Sequence, residues 1–249
     1  MQNPFVWHDL MTPDVAAAKT FYGEVVGWNF EAQMPQYTVA LVEGAGIGGI
    51  MATPPEAKDM PPFWAGYIYT PDVDAACAQA KKFGGTVYRE PWDVPGVLRM
   101  AILQDPTGAM FNIMKPSSQE QRNMPKEGAA GTVGWNELHA GDLNVAWDFY
   151  SKMFGWTKGT IMDMGPMGNY EIFQIDGKDA GGMMKRQDPL PRPMWLYYFN
   201  VDGIDAAVAR IKKAGGKIAM GPHQVPGDQW IVSAFDPQGA SFQLVSTTK

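Results

Sequence analysis

Residues 63–114 read FWAGYIYTPDVDAACAQAKKFGGTVYREPWDVPGVLRMAILQDPTGAMFNIM, and residues 194–245 read MWLYYFNVDGIDAAVARIKKAGGKIAMGPHQVPGDQWIVSAFDPQGASFQLV. The two stretches align without a gap at a shift of 131, and 19 of the 52 pairs are identical. Trp64 faces Trp195, Lys81-Lys82-Phe83-Gly84-Gly85 faces Lys212-Lys213-Ala214-Gly215-Gly216, and Val94-Pro95-Gly96 faces Val225-Pro226-Gly227. Asp105-Pro106-Thr107-Gly108-Ala109 faces Asp236-Pro237-Gln238-Gly239-Ala240. The residues ahead of each stretch repeat as well, at a shift of 128: Trp7 with Trp135, Asp14 with Asp142, Phe21-Tyr22 with Phe149-Tyr150, Gly27-Trp28 with Gly155-Trp156. A repeat of this period sets the architecture before any single element is read. The chain is two copies of one module, spanning 1–116 and 132–249. They are joined at 117–131 by a linker within the polar, proline-containing stretch KPSSQEQRNMPKEGAAGT.

Composition excludes several classes. Hydrophobic residues make up 45% and charged residues 18% of the 249, a globular balance rather than a disordered one. The formal charge of −6 argues against nucleic acid as a partner, which would call for clustered Lys and Arg. Cys77 is the sole cysteine, so no intrachain disulfide and no thiolate metal cluster can form. In the run Ala75-Ala76-Cys77-Ala78 it reads as a small buried thiol rather than a nucleophile. No leader pattern and no membrane-length apolar run is present, which predicts a cytoplasmic protein without a membrane partner.

Each module divides into two half-modules of pattern β-α-β-β-β. In the first, Phe5–Met11 is a strand, and Asp14 caps a helix whose Val15, Ala18, Phe21, Tyr22 and Val25 recur at helical spacing until Gly27. Tyr37–Val42 and Ile47–Met51 follow as short strands around glycine turns. In the second, Trp64–Thr70 is a strand, Val73–Phe83 a helix closed by Gly84-Gly85, and Val87–Arg89, Leu98–Leu103 and Met110–Met114 are strands. Asp105-Pro106-Thr107-Gly108 is a turn in which Pro presets φ and Gly takes the positive φ. Met60-Pro61-Pro62 and Pro189-Leu190-Pro191-Arg192-Pro193 read as stiff connectors between half-modules.

This order of elements, the Phe-Tyr followed by Gly-Trp, and the Asp-Pro-x-Gly before the last strand together resemble the vicinal oxygen chelate superfamily. That group includes glyoxalase I, the bleomycin- and fosfomycin-resistance proteins, methylmalonyl-CoA epimerase and the extradiol dioxygenases. The resemblance covers both modules. It implies an α+β fold of two tandem modules, each with paired half-modules curled into a cup-shaped mixed sheet, packed as an intrachain pseudo-dimer. A monomer is expected, with a homodimer left open. Such folds host several chemistries, so activity has to be argued from the site.

The resemblance also implies where a metal would sit. Family metal enzymes carry inward His, Gln or Glu on the first and last strands of each half-module, and the metal stabilises an enolate or activates oxygen. Counted from the helix-opening Asp and from the Gly-Gly pairs, those positions fall on Trp7, Trp135, Ala65 and Leu196. The final-strand position, usually Glu, falls on Asn112 and Gln243. Indole and aliphatic side chains do not ligate, and neutral amides bind divalent ions poorly, so no metal and no other cofactor is expected. His8 lies one residue from Trp7, and strand alternation turns it to the opposite face as a structural histidine.

What remains to line the cups is aromatic with a few polar groups, the make-up of a small-molecule site. Trp7, Asp9 and Met11 share one strand face; Trp135, Glu137 and His139 are their counterparts. Tyr67 and Tyr69, or Tyr198 and Asn200, come from neighbouring half-modules. Glu137 and His139 pair a carboxylate with an imidazole, a combination suited to proton transfer near neutrality. His223 is read as a loop residue. Met162, Met164, Met167, Met183 and Met184 suggest a wall that repacks around ligands. Gly48-Gly49 and Gly181-Gly182 read as places where a ligand or another backbone comes close.

The expected function is that of a glyoxalase-family small-molecule protein lacking the family's metal. In the enzyme reading, a lyase or isomerase acts on a small carbonyl or aromatic compound: Glu137 or Asp9 abstracts a proton, His139 assists, and Asn112 or Gln243 hydrogen-bonds a developing oxyanion. Trp7, Tyr67, Asn112, Trp135, Tyr198 and Gln243 are the expected ligand-binding residues. The alternatives are a metal-dependent glyoxalase or dioxygenase-type enzyme, and a resistance-type binder that sequesters an aromatic compound without turnover.

Overall fold

The computed structural model describes residues 3–34, 36–118 and 124–249. The elements run β1 (Phe5–Thr12), α1 (Val15–Val26), β2 (Asn29–Met34), β3 (Tyr37–Val42) and β4 (Ala45–Ala52), then β5 (Phe63–Tyr69), α2 (Val73–Lys82), β6 (Thr86–Val94), β7 (Leu98–Gln104) and β8 (Met110–Pro116). The second copy repeats them as β9 (Val133–Ala140), α3 (Leu143–Phe154), β10 (Thr157–Asp163), β11 (Asn169–Ile175) and β12 (Lys178–Lys185), then β13 (Met194–Asn200), α4 (Ile204–Lys213), β14 (Lys217–Val225), β15 (Gln229–Phe235) and β16 (Ser241–Ser246). Two eight-stranded sheets result, ordered β2-β3-β4-β1-β5-β8-β7-β6 and β10-β11-β12-β9-β13-β16-β15-β14. This is the α+β, glyoxalase-like fold. Part of the 117–131 linker, residues 119–123, lies outside the described residues.

Local chemistry accounts for the elements. Asp14 Oδ1 accepts from Ala17 N at 2.9 Å, Asp72 Oδ1 from Ala75 N at 3.0 Å, and Asp142 Oδ1 from Asn144 N and Val145 N at 2.9 and 3.0 Å. Each satisfies helix-end donors that lack intrahelical partners. Gly27 and Gly155 end α1 and α3 at φ 89° and 70°, the left-handed conformation that stops a helix. At the Asp-Pro turn, Asp105 Oδ1 gathers the backbone N–H groups of Thr107, Gly108 and Ala109 at 2.7–3.0 Å. The repeat of that residue is therefore a repeat of turn geometry.

The chain packs as two compact units, each built from one half-module of either copy. The first comprises Met1–Val6, Ala65–Gln121 and Trp135–Trp195; the second comprises Trp7–Trp64, Arg122–Gly134 and Leu196–Lys249. In the second unit Tyr22 stacks on Trp28 at 5.5 Å and meets the edge of Trp64 at 5.3 Å. A polar thread runs through this aromatic core: Trp64 Nε1 donates to the Tyr22 hydroxyl at 3.1 Å, and that hydroxyl donates to Asp236 Oδ2 at 3.3 Å. In the first unit Tyr150 stacks on Trp156 at 5.6 Å and 7°, and accepts from Trp195 Nε1 at 2.9 Å. The Phe-Tyr and Gly-Trp motifs thus build core, where buried phenols and indoles need mutual partners.

Three readings shift. The edge strand β2 supplies the third strand that the β-α-β-β-β pattern requires after α1 but to which sequence alone assigns no residues; almost every residue in it is exposed, so no alternation marks it. β6 and β14 run to nine residues, and β14 takes in His223, which is an exposed strand residue rather than a loop one. Met164 and Met167 lie exposed at a 3-10 turn while Met183 is fully buried, so the methionines form no single wall. Cys77 is buried, and burial pushes its thiol up to about 11. Among the described residues no helix is long and apolar enough to cross a membrane.

Candidate functional site

Strand phase decides what each face of β1 and β9 presents. β1 pairs in parallel with β4, Asp9 opposite Gly49 and Met11 opposite Met51. β9 pairs with β12 in the same way, Glu137 opposite Gly182 and His139 opposite Met184. Residues two apart share a face, so Trp7, Asp9 and Met11 fall together, as do Trp135, Glu137 and His139. His8 points the other way, buried with its ring edge-on to Tyr197 at 4.7 Å within the second unit.

In the second unit Trp7, Asp9 and a third residue, Tyr37, close on one another. Trp7 Nε1 donates to Asp9 Oδ1 and to the Tyr37 hydroxyl, both at 2.8 Å, and Tyr37 donates to Asp9 Oδ1 at 2.8 Å. In the first unit the corresponding groups form a chain instead. Trp135 Nε1 donates to the Tyr170 hydroxyl at 2.7 Å, Tyr170 donates to Glu137 Oε2 at 2.9 Å, and His139 Nε2 meets Glu137 Oε1 at 2.9 Å. Glu137 and His139 are each only 8% exposed, so these bonds replace lost water. Burial, and then the charge of Glu137, push the Tyr170 phenol well above its ordinary range, which keeps it a donor. His139 Nδ1 is buried and has no hydrogen-bond partner among the described residues.

Tyr37 and Tyr170 were not among the residues singled out from sequence. The glycine pairs explain how they reach the site. A Cβ on Gly49 would lie 2.2 Å from the Tyr37 hydroxyl oxygen, and one on Gly182 would lie 2.2 Å from Tyr170 Cζ. Only glycine lets each phenol lie across its strand toward the carboxylate. Gly48 and Gly181 turn to the opposite face, where a Cβ would meet the His8 and Asn136 carbonyl oxygens at 2.6 and 2.1 Å. What approaches these glycines is therefore a phenol on one face and a neighbouring strand's backbone on the other, joined at Gly181 by the Phe173 ring, 2.4 Å from such a Cβ. The signal in the sequence was the spacing: Tyr37 and Tyr170 differ by 133, as do Gly48-Gly49 and Gly181-Gly182.

The remaining candidates sit on the partner half-modules. Tyr67 is opposite Asn112 in the first unit, and Tyr198 opposite Gln243 in the second. Asn112 and Gln243 are buried; Gln243 Nε2 donates to Ser241 Oγ at 3.1 Å, while its Oε1 has no partner among the described residues. An open cavity of about 330 Å³ lies at the start of α3, lined by Asp142, Asn144, Asn169, Glu171 and Lys185 among others; it takes in none of the Trp135 cluster. Among the described residues no group of three or more His, Cys, Asp or Glu is placed to hold a metal ion.

The family model described as Glyoxalase/Bleomycin resistance protein/Dioxygenase superfamily matches residues 4–113 and again 132–244. The chain is 32% identical over 245 residues to "Putative glyoxylase CFP32" of Mycobacterium bovis, covering 96% of this chain and 93% of that one. It is 30% identical over 266 residues to the anthracycline biosynthesis protein DauV of Streptomyces sp. (strain C5), covering 96% and 91%. The Mn(II)-bound glyoxalase from Novosphingobium aromaticivorans superposes with a TM-score of 0.66 at 16% identity, over 100% of this chain and 82% of that one, a likeness of fold. The chain belongs to the glyoxalase/bleomycin resistance protein/dioxygenase superfamily.

Proposed function

We propose that this protein acts on or binds a small aromatic or carbonyl compound without a resident metal, at the β9 face that carries Trp135, Glu137, His139 and Tyr170. The observation that carries the reading is the Trp135–Tyr170–Glu137–His139 chain itself. It sets an aromatic wall beside a buried carboxylate–imidazole pair, the combination that binds and orients small organic molecules and moves protons. The family's metal does not fit the residues present. The first-strand positions are indoles already engaged with Tyr37 and Tyr170, and the second-strand positions are Ala65 and Leu196. The final-strand positions are the amides Asn112 and Gln243, which lack the charge a divalent ion draws on.

The name of the anthracycline biosynthesis relative supports an aromatic ligand, and that of the glyoxylase supports carbonyl chemistry of lyase or isomerase type. The Trp7–Asp9–Tyr37 group favours a second role, binding without turnover, for the β1 face, because Met11 stands where β9 carries His139 and leaves the Asp9 carboxylate without an imidazole beside it. Titration with a panel of aromatic compounds, read by tryptophan fluorescence, tests the proposal. Glu137→Gln is expected to abolish any turnover while leaving aromatic affinity within about tenfold, since the amide keeps the shape and loses the charge. Absence of quenching across the panel would count against the reading.

A further inference from the structure

We infer that ligand docks on His139 Nδ1, and that the group it takes there is a neutral hydroxyl, a phenol or an enol. Glu137 is then the positioning residue behind the imidazole. This rests on the β9-face site proposed above and names the atom at which it works.

Three observations lead to Nδ1. Both oxygens of Glu137 are occupied, Oε2 by the Tyr170 hydroxyl and Oε1 by His139 Nε2, each at 2.9 Å. The carboxylate therefore has little left to offer an incoming proton donor. A carboxylate facing Nε2 fixes the neutral ring's proton on that nitrogen and leaves the lone pair on Nδ1. Finally, that lone pair is buried with no partner among the described residues. Buried polar atoms are almost always paired, so a group that reaches this one gains a hydrogen bond that the fold leaves unmade.

The surroundings choose the occupant. Trp135 and Tyr170 share the face, and Met184 lies opposite His139 in the strand register. An anion would meet a lone pair with the Glu137 charge behind it, and would be repelled. An ammonium would lose its hydration among aromatic and thioether groups. A neutral O–H on an apolar ring loses little and completes the chain Trp135–Tyr170–Glu137–His139. At the place of His139 the first copy has Met11, so the proposed docking point has no counterpart there.

The test uses a matched pair, 2-naphthol and 2-methoxynaphthalene, alike in shape and differing in the donor. The intact protein should bind 2-naphthol about tenfold more tightly, one per chain, as expected of a single added hydrogen bond. His139→Met, which installs the residue that the first copy carries, should erase that preference, bringing the affinities for the two probes together. Independently, ¹⁵N spectra of the histidines at pH 8 should show His139 protonated on Nε2 with a bare Nδ1; a proton on Nδ1 overturns the inference whatever the ligand data show. Binding of both probes with no preference overturns it while leaving the proposed function standing. Binding of neither removes the aromatic reading and this inference together.

Discussion

Removing the Tyr170 hydroxyl should cost more than removing the Tyr37 hydroxyl, although the two residues do similar things. In Tyr170→Phe, Trp135 Nε1 loses its acceptor at 2.7 Å and Glu137 Oε2 loses its donor at 2.9 Å. A neutral hydrogen bond contributes about 1 kcal/mol and one to a charged group about 1.5–3, which sums to about 2.5–4 kcal/mol where water cannot replace them. In Tyr37→Phe, Trp7 Nε1 still reaches Asp9 Oδ1 at 2.8 Å, so a direct indole–carboxylate bond survives. That loss should stay near about 1–2 kcal/mol. Equilibrium urea unfolding of both variants and the wild type, followed by fluorescence and circular dichroism, gives the comparison. pH adds a second axis. The folded Tyr170 holds its proton above the ordinary phenol range, so above about pH 10 the unfolded chain ionises first and wild-type stability falls. Tyr170→Phe lacks that contribution, so the gap between the two should narrow by up to about 1.4 kcal/mol per pH unit until the folded phenol also ionises. Equal losses in the two variants at pH 7, or a larger loss in Tyr37→Phe, would refute the distinction between a closed triangle and an open chain.

Gly182→Ala places a Cβ 2.2 Å from Tyr170 Cζ and should destabilise by about 1–3 kcal/mol, whereas in a Tyr170→Ala background the same change should be close to neutral in a urea melt. Cys77, with its thiol pushed up to about 11 by burial, should resist a disulfide-exchange reagent at pH 8 in the native protein and react at once in denaturant; fast native labelling would contradict its placement.

Much of the fold could be read from residues that recur. The Asp caps, the αL glycines after α1 and α3, and the Asp-Pro turns are local devices, and a repeat doubles the signal at each. β2 escaped because a strand exposed on both faces carries no alternation to read. The site was legible only in part. Trp7 with Asp9, and Glu137 with His139, follow from two-residue periodicity on one strand, but Tyr37 and Tyr170 arrive from a different strand across a glycine. No local pattern reveals that approach; only the shared spacing of 133 hints at it. Which half-modules pack together was not legible either, because a repeat says that halves exist without saying which partner each one covers.

The central claim is that indoles, aliphatics and amides stand where relatives would place metal ligands. Mass-spectrometric metal analysis of protein purified without chelator tests it most directly. The account predicts far less than one divalent ion per chain; a stoichiometric ion that Trp135→Ala leaves in place and Glu137→Gln or His139→Met removes would contradict it.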